Sequence, residues 1–407
     1  MDIKRTAALL IVAAAALSVM TSCGGKNDTS SKGGNDGSEA AVSAADGKGS
    51  ADDNGAAAQA LARSGEVRDI PAADIVAEMS AGWNLGNSLD VFDGNDLGSE
   101  TKWGNPKTTQ EMIDGVQAQG FDLIRIPVTW GNHVDESYTI DSEWLDRVQE
   151  VVNYAYDDGM YVIIISHHEE SWRITDNAHI EEVDKEHAEI WRQIAERFKD
   201  YGDHLVFEGL NEPRVKGSVE EWTGGDEEGR ECVARLNRTF RDTVRATGGN
   251  NENRLLLYTT YASSSTQKAI KDAEIPEDKH IGYSIHAYTP YAFTYSPGED
   301  WELFTWDGSH EGEILSMMYE LKEKFVDSGV PVIITEYGAV NKDGNDDEVA
   351  KWAKFYVETA RQMGIPCVWW DNGCYFSGNE LFGIYDRSNC KWFSPSVADA
   401  VIKASEK

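Results

Sequence analysis

Short apolar segments recur eight times along the chain, and helical patterns lie between them, which restricts the possible folds more than any other feature. Segments such as "YVIII" (161–165) and "PVIIT" (331–335) are apolar on both faces, as parallel strands are when helices cover them. The sequence contains no Walker or GxGxxG phosphate loop that would mark the crevice of an open sheet. The pattern therefore predicts an α/β protein with a single (β/α)8 TIM barrel. The predicted strands are 82–87, 122–128, 161–168, 205–212, 254–260, 281–288, 331–338 and 366–372.

The clearest helical segment follows the third predicted strand, and its apolar side chains recur every three or four residues. Charged residues fill the opposite face, so we expect this stripe to pack against the barrel. The stripe consists of Ile180, Val183, His187, Ile190, Ile194 and Phe198.

The N-terminal segment has the composition of an export signal. Lys4 and Arg5 precede an apolar run at 7–20 that is too short to span a bilayer comfortably. The run ends in "MTSC", which resembles a bacterial lipobox with Met20 in place of the usual Leu. We predict a lipoprotein signal peptide at 1–22 and an exported protein, anchored by a lipid on Cys23 at the cell surface or in the periplasm. The alternative is an ordinary cleaved signal and secretion into the medium.

A segment rich in Gly, Ser, Ala and Asp follows, and it predicts a disordered tether at 23–65. The chain has no aromatic residue before Trp83. The predicted catalytic domain therefore comprises residues 66–407.

Four cysteines remain in that domain, and they allow three complete disulfide pairings or none. Export permits a disulfide without requiring one. Cys374 with Cys390 is the pair that we favour.

The net charge of the chain limits the kinds of partner that it can bind. The chain carries 71 acidic and 37 basic residues, a formal charge of -34, which repels nucleic acid and anionic membrane surfaces. A neutral ligand is not disfavoured in this way. We predict no nucleic-acid partner, and membrane association only through the N-terminal lipid.

Polar or aromatic residues lie at the C-terminal ends of at least seven predicted strands, where a TIM barrel places its active site. Their recurrence on so many strands predicts one shared site at the barrel mouth. The residues are Asn84, Asn87, Arg125, His167, His168, Asn211, Glu212, His286, Tyr288, Glu336, Tyr337, Trp370 and Asn372.

Two carboxylates in this set, Glu212 and Glu336, suggest glycoside hydrolysis. One carboxyl must donate a proton to the leaving oxygen while the other is ionised, so their environments must separate their pKa values. A nearby guanidinium, that of Arg125, would keep Glu336 ionised. Asn211 would donate a hydrogen bond to a sugar hydroxyl.

Glu208 lies on the same predicted strand, four residues or about 13 Å before Glu212 and on the same side. We interpret Glu208 as a structural residue inside the barrel, paired with a cation such as Arg125.

A metal site formed by His167, His168, His286, Glu169 and Glu170 is the competing interpretation. Adjacent histidines on a strand would point to opposite faces, and no HExxH spacing occurs, so we predict no metal and no other cofactor. The absence of a GxSxG motif opposes a serine hydrolase.

Three tryptophans are candidate surfaces for stacking sugar rings. We expect Trp370 to serve in this way. For Trp103 and Trp130 a core position and a stacking position both stay open.

Together these residues resemble glycoside hydrolase family 5, and most closely its subfamily 4 of endo-β-1,4-glucanases of bacterial lipoprotein type. The resemblance covers nearly all of residues 80–390. It is carried, in order, by "AGWNLGNSLDVF", "WGNPKTT", "GFDLIRIPVTWGNH", "VIIISHHE", "FEGLNEPR", "IHAYTPYAF", "IITEYGAV" and "CVWWDNG".

The resemblance implies a retaining mechanism, with Glu212 as acid/base and Glu336 as nucleophile, and carboxyl groups about 5 to 5.5 Å apart. Asn87 and His168 resemble substrate contacts on the non-reducing side, and we expect Trp370 and Asn372 to bind substrate too. The other positions that match the family's site, in supporting roles, are Arg125, His167, Asn211, His286 and Tyr288.

The expected function is an endo-β-1,4-glucanase acting on cellulose, mixed-linkage β-glucan or xyloglucan, as a monomer. Xyloglucanase, mannanase and xylanase activities are the alternatives within this class. The alternative from another class is a surface lipoprotein that binds sugar without catalysis, which retention of both glutamates opposes.

Overall fold

Eight parallel strands close into a barrel in which each strand pairs with its neighbours in sequence and β8 pairs with β1. The computed structural model describes residues 63–296, 298–378 and 380–406. The predicted (β/α)8 barrel is confirmed. The strands are β1 Ala81–Asn84, β2 Leu123–Val128, β3 Tyr161–Ser166, β4 Leu205–Glu208, β5 Leu256–Ser264, β6 Ile281–His286, β7 Val332–Tyr337 and β8 Cys367–Trp369.

Helices surround the barrel and cover the outer faces of the strands. Short 3-10 helices add Leu97–Thr101, Gly131–His133, Gly249–Glu252 and Val326–Ser328, and a small hairpin pairs β9 Tyr385–Asp386 with β10 Lys391–Trp392. The α-helices are α1 Ala72–Val76, α2 Gln110–Gln119, α3 Ser142–Asp157, α4 Ile180–Arg197, α5 Glu227–Ala246, α6 Gln267–Asp272, α7 Tyr291–Thr294, α8 Glu311–Lys324, α9 Asp346–Gln362 and α10 Pro395–Ser405.

Helix α4 carries the apolar stripe that the sequence predicted. All six residues of the stripe are buried, including His187. The Trp191 indole, on the same helix, reaches the Gly209 carbonyl at 3.1 Å. Burial of this face against the barrel therefore holds α4 beside the segment that follows β4.

The barrel interior changes from apolar to charged along the strands. Leu123 and Val206 belong to an apolar cluster that α1 closes from the N-terminal end. Two residues further on, Arg125 and Glu208 point to the same side, because side chains alternate along a strand. The interior therefore carries an ion pair directly above its apolar layer.

Several strand boundaries differ from the predicted ones. Strands β3 and β4 end at Ser166 and Glu208, so the polar residues that follow them lie on loops. Strand β5 extends to Ser264, four residues beyond its predicted end. The apolar pattern marks the buried part of each strand but not the point where its backbone leaves the ladder.

The predicted signal peptide at 1–22, the lipidation site Cys23 and the tether up to residue 62 lie outside the described residues. At its described start the chain already contacts the domain, since the Gly65 amide donates to the Asp200 carbonyl at 2.9 Å. Among the described helices, none combines the length and the apolar character that crossing a membrane requires.

The favoured disulfide between Cys374 and Cys390 is wrong. Cys390 is a free thiol in the turn between β9 and β10, with its Sγ 3.9 Å from the Arg387 carbonyl oxygen. Cys232 and Cys367 are also free and are buried.

Candidate active site

Arg125 is the structural centre of the barrel mouth. Its guanidinium is fully buried and forms two hydrogen bonds to Glu208, of 2.7 and 3.0 Å. Its remaining donors reach Asn84 Oδ1 at 3.1 Å, Asn211 Oδ1 at 2.9 Å and Glu336 Oε1 at 2.7 Å. The predicted pairing of Glu208 with Arg125 is present, and the same guanidinium contacts Glu336.

Glu336 is held at both of its oxygens. Arg125 binds Oε1, and the Tyr288 hydroxyl donates to Oε2 at 3.0 Å. Burial, together with the negative charges of Glu336 and Glu212, raises the pKa of Tyr288 well above its usual range. Tyr288 therefore stays protonated and remains a donor to Glu336.

His286 lies between the two candidate catalytic carboxylates. Its Nδ1 is 3.0 Å from Glu212 Oε1 and 3.4 Å from Glu336 Oε2. One carboxylate oxygen from each glutamate and a His286 nitrogen all lie within 4.8 Å of one another. Oxygens this close suit the retaining arrangement, in which the carboxyl groups are about 5 to 5.5 Å apart, better than the inverting one, which needs about 6.5 to 9.5 Å.

Glu212 lies on the loop after β4 and has a cationic neighbour, Arg214, in addition to His286. Arg214 Nη1 is 3.5 Å from Glu212 Oε2 and donates to the Glu212 carbonyl at 2.8 Å. Burial raises the pKa of the Glu212 carboxyl, but the His286 hydrogen bond and the charges of His286 and Arg214 outweigh it, so the pKa is lowered. The surroundings of Glu212 thus favour its ionised form before substrate binds.

The structure adds Arg214 and Glu170 as functional candidates. The sequence did not show that these two residues lie beside Glu212. Arg214 lies 3.4 Å from Glu170 and 3.0 Å from Glu221. Burial raises the pKa of Glu170, but contacts with His168 and Arg214 outweigh it and lower the pKa to about 2. The only available signal was the position of Arg214 directly after the "NEP" motif.

His167 and His168 do not point to opposite faces, contrary to the argument from strand alternation. Strand β3 ends at Ser166, so both histidines lie on the loop that follows, with ring centroids 4.5 Å apart. His167 stacks on Trp370 with ring centroids 5.6 Å apart and planes 2° apart. Burial and the charges of His168 and Arg125 lower the pKa of His167 well below its usual range, which keeps it neutral.

Within the described residues, two groups of side chains bring potential metal-ligand atoms within 4.8 Å of one another: Asp90 with His167 and His168, and His286 with Glu212 and Glu336. Asp90 already accepts the backbone amides of Asn87 and Ser88, at 3.0 and 2.7 Å. Glu169 is committed elsewhere, because it accepts the amides of Trp130 and Gly131 and the Trp172 indole. Asp90 and Glu169 therefore hold the loops around the site through these hydrogen bonds.

The remaining predicted substrate contacts divide into two groups. Asn87 is partly exposed at the mouth with a left-handed backbone (φ 56°), and Trp370 is 8% exposed beside His167. Asn372 is a different case: its Nδ2 donates to the Glu380 carbonyl at 2.7 Å and its Oδ1 accepts the Cys374 amide at 3.1 Å. Both ends of this amide form hydrogen bonds within the loop after β8, so Asn372 helps to hold that loop, and its contact with substrate stays a prediction.

Of the two tryptophans left open, Trp130 is fully buried and belongs to the core. Trp103 is 6% exposed, donates to Asp93 at 2.7 Å and packs 5.7 Å from the His168 ring. Trp103 therefore supports the wall of the site behind His168.

Replacing Arg125 with Met is expected to lower the free energy of unfolding by about 3 to 5 kcal/mol, because Glu208 would stay buried without its cation. Urea denaturation measures this change. In the double variant Arg125→Met/Glu208→Gln the stability is expected to recover in part, because the fully buried charge of Glu208 is gone, while activity stays low because Glu336 still lacks its guanidinium. Equal stability of the single and double variants would contradict this account.

Comparisons with known proteins identify the family of the chain. The family model described as cellulase (glycosyl hydrolase family 5) matches residues 90–375. Endoglucanase A of Ruminococcus albus is 69% identical over 346 residues, which cover 84% of this chain and 95% of that protein.

Solved structures match over a similar range. A GH5-4 broad specificity endoglucanase from Clostridium acetobutylicum superposes with a TM-score of 0.78 at 43% identity, covering 82% of this chain and all of the other. A GH5 xyloglucan-specific endo-β-1,4-glucanase from a metagenomic library, in complex with cellotriose, superposes with a TM-score of 0.79 at 45% identity, covering 82% of this chain and 98% of the other. The chain belongs to glycosyl hydrolase family 5.

Proposed function

We propose that the protein is an endo-β-1,4-glucanase that hydrolyses internal bonds of β-glucans with retention of configuration. The observation that carries this proposal is the approach of the Glu212 and Glu336 oxygens to within 4.8 Å at the mouth of the barrel. Similarity to endoglucanases over most of the chain supports the substrate class.

In the first step, Glu336 attacks the anomeric carbon while Glu212 donates its proton to the leaving oxygen. The glycosidic bond breaks and an ester bond to Glu336 forms. Arg125 and Tyr288 each donate a hydrogen bond to one Glu336 oxygen, and together they hold the carboxylate in one orientation. A sugar bound over Glu212 removes water from its carboxyl, which raises its pKa towards the value that a proton donor needs.

In the second step, Glu212 acts as a base and takes a proton from water, whose oxygen attacks the anomeric carbon and releases Glu336. The contacts with His286 and Arg214 that favour ionised Glu212 suit this step. Asn211 accepts from Arg125 through Oδ1, and its Nδ2 has no hydrogen-bond partner among the described residues. That amide is therefore available to donate to a hydroxyl of the reacting sugar.

The test is the release of reducing sugar from carboxymethylcellulose, lichenan, xyloglucan, glucomannan and xylan, together with loss of viscosity. An endo-acting β-1,4-glucanase is expected to lower viscosity early and to act on the first three substrates. Selective action on xyloglucan, which the similarity to a xyloglucan-specific enzyme favours as the second candidate, would narrow the assignment. Release from none of them would favour the sugar-binding alternative.

We also propose that the protein is exported and carries a lipid on Cys23, with the segment before the barrel acting as a tether. The motif "MTSC" and the preceding apolar run support this. Mass spectrometry of the mature N-terminus tests the lipid, and protease accessibility on whole cells tests surface exposure. An unmodified Cys23 would favour secretion. The monomeric state stays a prediction that light scattering would test.

A further inference from the structure

Arg387 is a buried arginine that the proposed mechanism does not use. It directly follows β9. Its Nη1 donates to the Gly86 carbonyl at 2.7 Å and to the Ser88 hydroxyl at 3.0 Å. Its Nη2 donates to the Asp371 carbonyl at 2.6 Å and to the Asp371 carboxylate at 3.2 Å. One guanidinium therefore joins the loop after β1 to the loop after β8.

The groups that this guanidinium binds belong to the sequence neighbours of two predicted substrate contacts. Gly86 and Ser88 lie on either side of Asn87. Asp371 directly follows Trp370. The two loops also pack closely, because a Cβ atom on Gly86 would lie 2.8 Å from the Trp370 ring. A shift of either loop would therefore change the position of Asn87 relative to Trp370.

Asp371 gives this junction a fixed base. Its carboxylate is fully buried, and Oδ2 accepts the amides of Ile384 and Tyr385 at 2.9 and 3.0 Å. The same oxygen accepts the Trp83 indole at 3.1 Å, and Oδ1 accepts the Gly373 amide at 2.8 Å. Because backbone and core groups hold both oxygens, the carboxylate fixes the guanidinium in one orientation.

A second side chain bridges the same two loops. Asn105 is buried, and its Nδ2 donates to the Asn87 carbonyl at 2.9 Å and to the Asn372 carbonyl at 3.0 Å. The Gly86 amide adds a direct hydrogen bond to the Asp371 carbonyl at 3.0 Å. Directional polar contacts therefore set the separation of the two loops.

We propose that Arg387 is a positioning residue for substrate binding. It fixes the distance between Asn87 and Trp370, so that both side chains are in place before the sugar arrives, which lowers the entropy cost of binding. Arg387 acts through these two residues and makes no contact with the sugar itself. This inference rests on the proposed function.

The chemistry of the junction calls for an arginine in particular. A planar guanidinium presents several N–H donors in fixed directions and can hold both loops at once. In Arg387→Lys the positive charge stays beside Asp371, but a single ammonium does not bridge the Gly86 and Asp371 carbonyls in the same way. This variant therefore separates positioning of the loops from neutralisation of the buried carboxylate.

The test measures the Kd for cellotriose by calorimetry in the Glu336→Gln background, well below the melting temperature of each variant. Arg387→Lys is expected to raise this Kd about tenfold, because the two loops are no longer held at one distance. Arg387→Met is expected to raise the Kd at least as much and also to lower the melting temperature, because Asp371 loses its cation.

Arg254→Met is the matched control. Arg254 is also buried, donates to the backbone carbonyls of Gly202 and Leu205 at 3.0 and 2.7 Å, and lies 4.9 Å from the centre of the Phe207 ring. It precedes β5 and so lies at the end of the barrel opposite the mouth. Its replacement is expected to lower the melting temperature and to leave the Kd for cellotriose within about twofold of the background value.

A Kd for Arg387→Lys within about twofold of the background value, or an effect no larger than that of Arg254→Met, would overturn the inference. Arg387→Lys decides the question even if Arg387→Met does not fold. If the folded Glu336→Gln protein binds no cellotriose, the proposed function fails and this inference fails with it. That result differs from a loss of affinity confined to the Arg387 variants.

Discussion

Replacing Glu336 with Gln is expected to reduce kcat on β-glucans by roughly 10⁴-fold or more, because an amide does not form the glycosyl ester on which the mechanism depends. Glutamine has the same shape and retains an oxygen for Arg125, which also stays paired with Glu208 at 2.7 Å. The fold is therefore expected to survive. Initial rates on carboxymethylcellulose and the far-ultraviolet circular dichroism spectrum measure the two effects.

The matched control for Glu336→Gln is Glu100→Gln. Glu100 is also buried and also paired with an arginine, Arg147 on helix α3, at 2.9 Å, but it lies on the 3-10 helix Leu97–Thr101 rather than at the barrel mouth. Glu100→Gln is expected to lower the free energy of unfolding and to leave kcat within about twofold of the native value. Activity of Glu336→Gln close to that of the native chain would refute the nucleophile assignment.

A variant with a smaller side chain at position 336 tests the stereochemistry of the same step. In Glu336→Ala, azide has room to enter from the side that the carboxylate occupied. It is expected to attack an activated cellobiosyl substrate in a single displacement, so the product is the α-azide. Nuclear magnetic resonance of the product distinguishes this from the β-azide, which would place the nucleophile elsewhere.

Replacing Glu212 with Gln is expected to cause the second large loss of activity. Hydrolysis of cellohexaose is expected to fall by about 10²- to 10⁴-fold, because the leaving sugar oxygen no longer receives a proton. A dinitrophenyl leaving group needs no proton, so formation of the glycosyl-enzyme from dinitrophenyl cellobioside is expected to stay fast. Since the variant also lacks the Glu212 base for the second step, the glycosyl-enzyme accumulates. Its formation appears as a burst of dinitrophenol followed by slow turnover.

The pH dependence provides an independent measurement on Glu212→Gln. In the native chain the first step requires protonated Glu212, so kcat/KM falls as pH rises through the pKa of that carboxyl. The variant is expected to lose this basic limb. A fall of equal size on cellohexaose and dinitrophenyl cellobioside, with the basic limb retained, would show that Glu212 does not transfer the proton.

Much of the site was predictable because a parallel barrel brings the C-terminal ends of its strands together. Glu208 was expected to lie inside the barrel and to pair with a cation such as Arg125, and the two residues form a buried ion pair. Alternation failed for His167 and His168, because it holds only while the backbone stays in the sheet and β3 ends at Ser166.

Other parts of the site depend on long loops whose paths no local pattern specifies. Asn372 occurs at a strand end like the other polar residues, yet its amide is used within its own loop. Glu380 and Tyr295 are 85 residues apart in sequence and meet only because the loops after β6 and β8 converge. The partner of a loop side chain is set by contacts with distant segments, which sequence spacing does not encode.

By itself, the sequence determined the barrel and the family and it singled out the two glutamates as candidates, because these inferences follow from repeated burial patterns and from ordered motifs. Only the tertiary structure decided which groups surround each glutamate. Arg125 and Tyr288 hold Glu336, whereas His286 and Arg214 act on Glu212. The pKa of a carboxyl depends on charges and burial within a few ångströms, and those neighbours come from different strands and loops of the closed barrel.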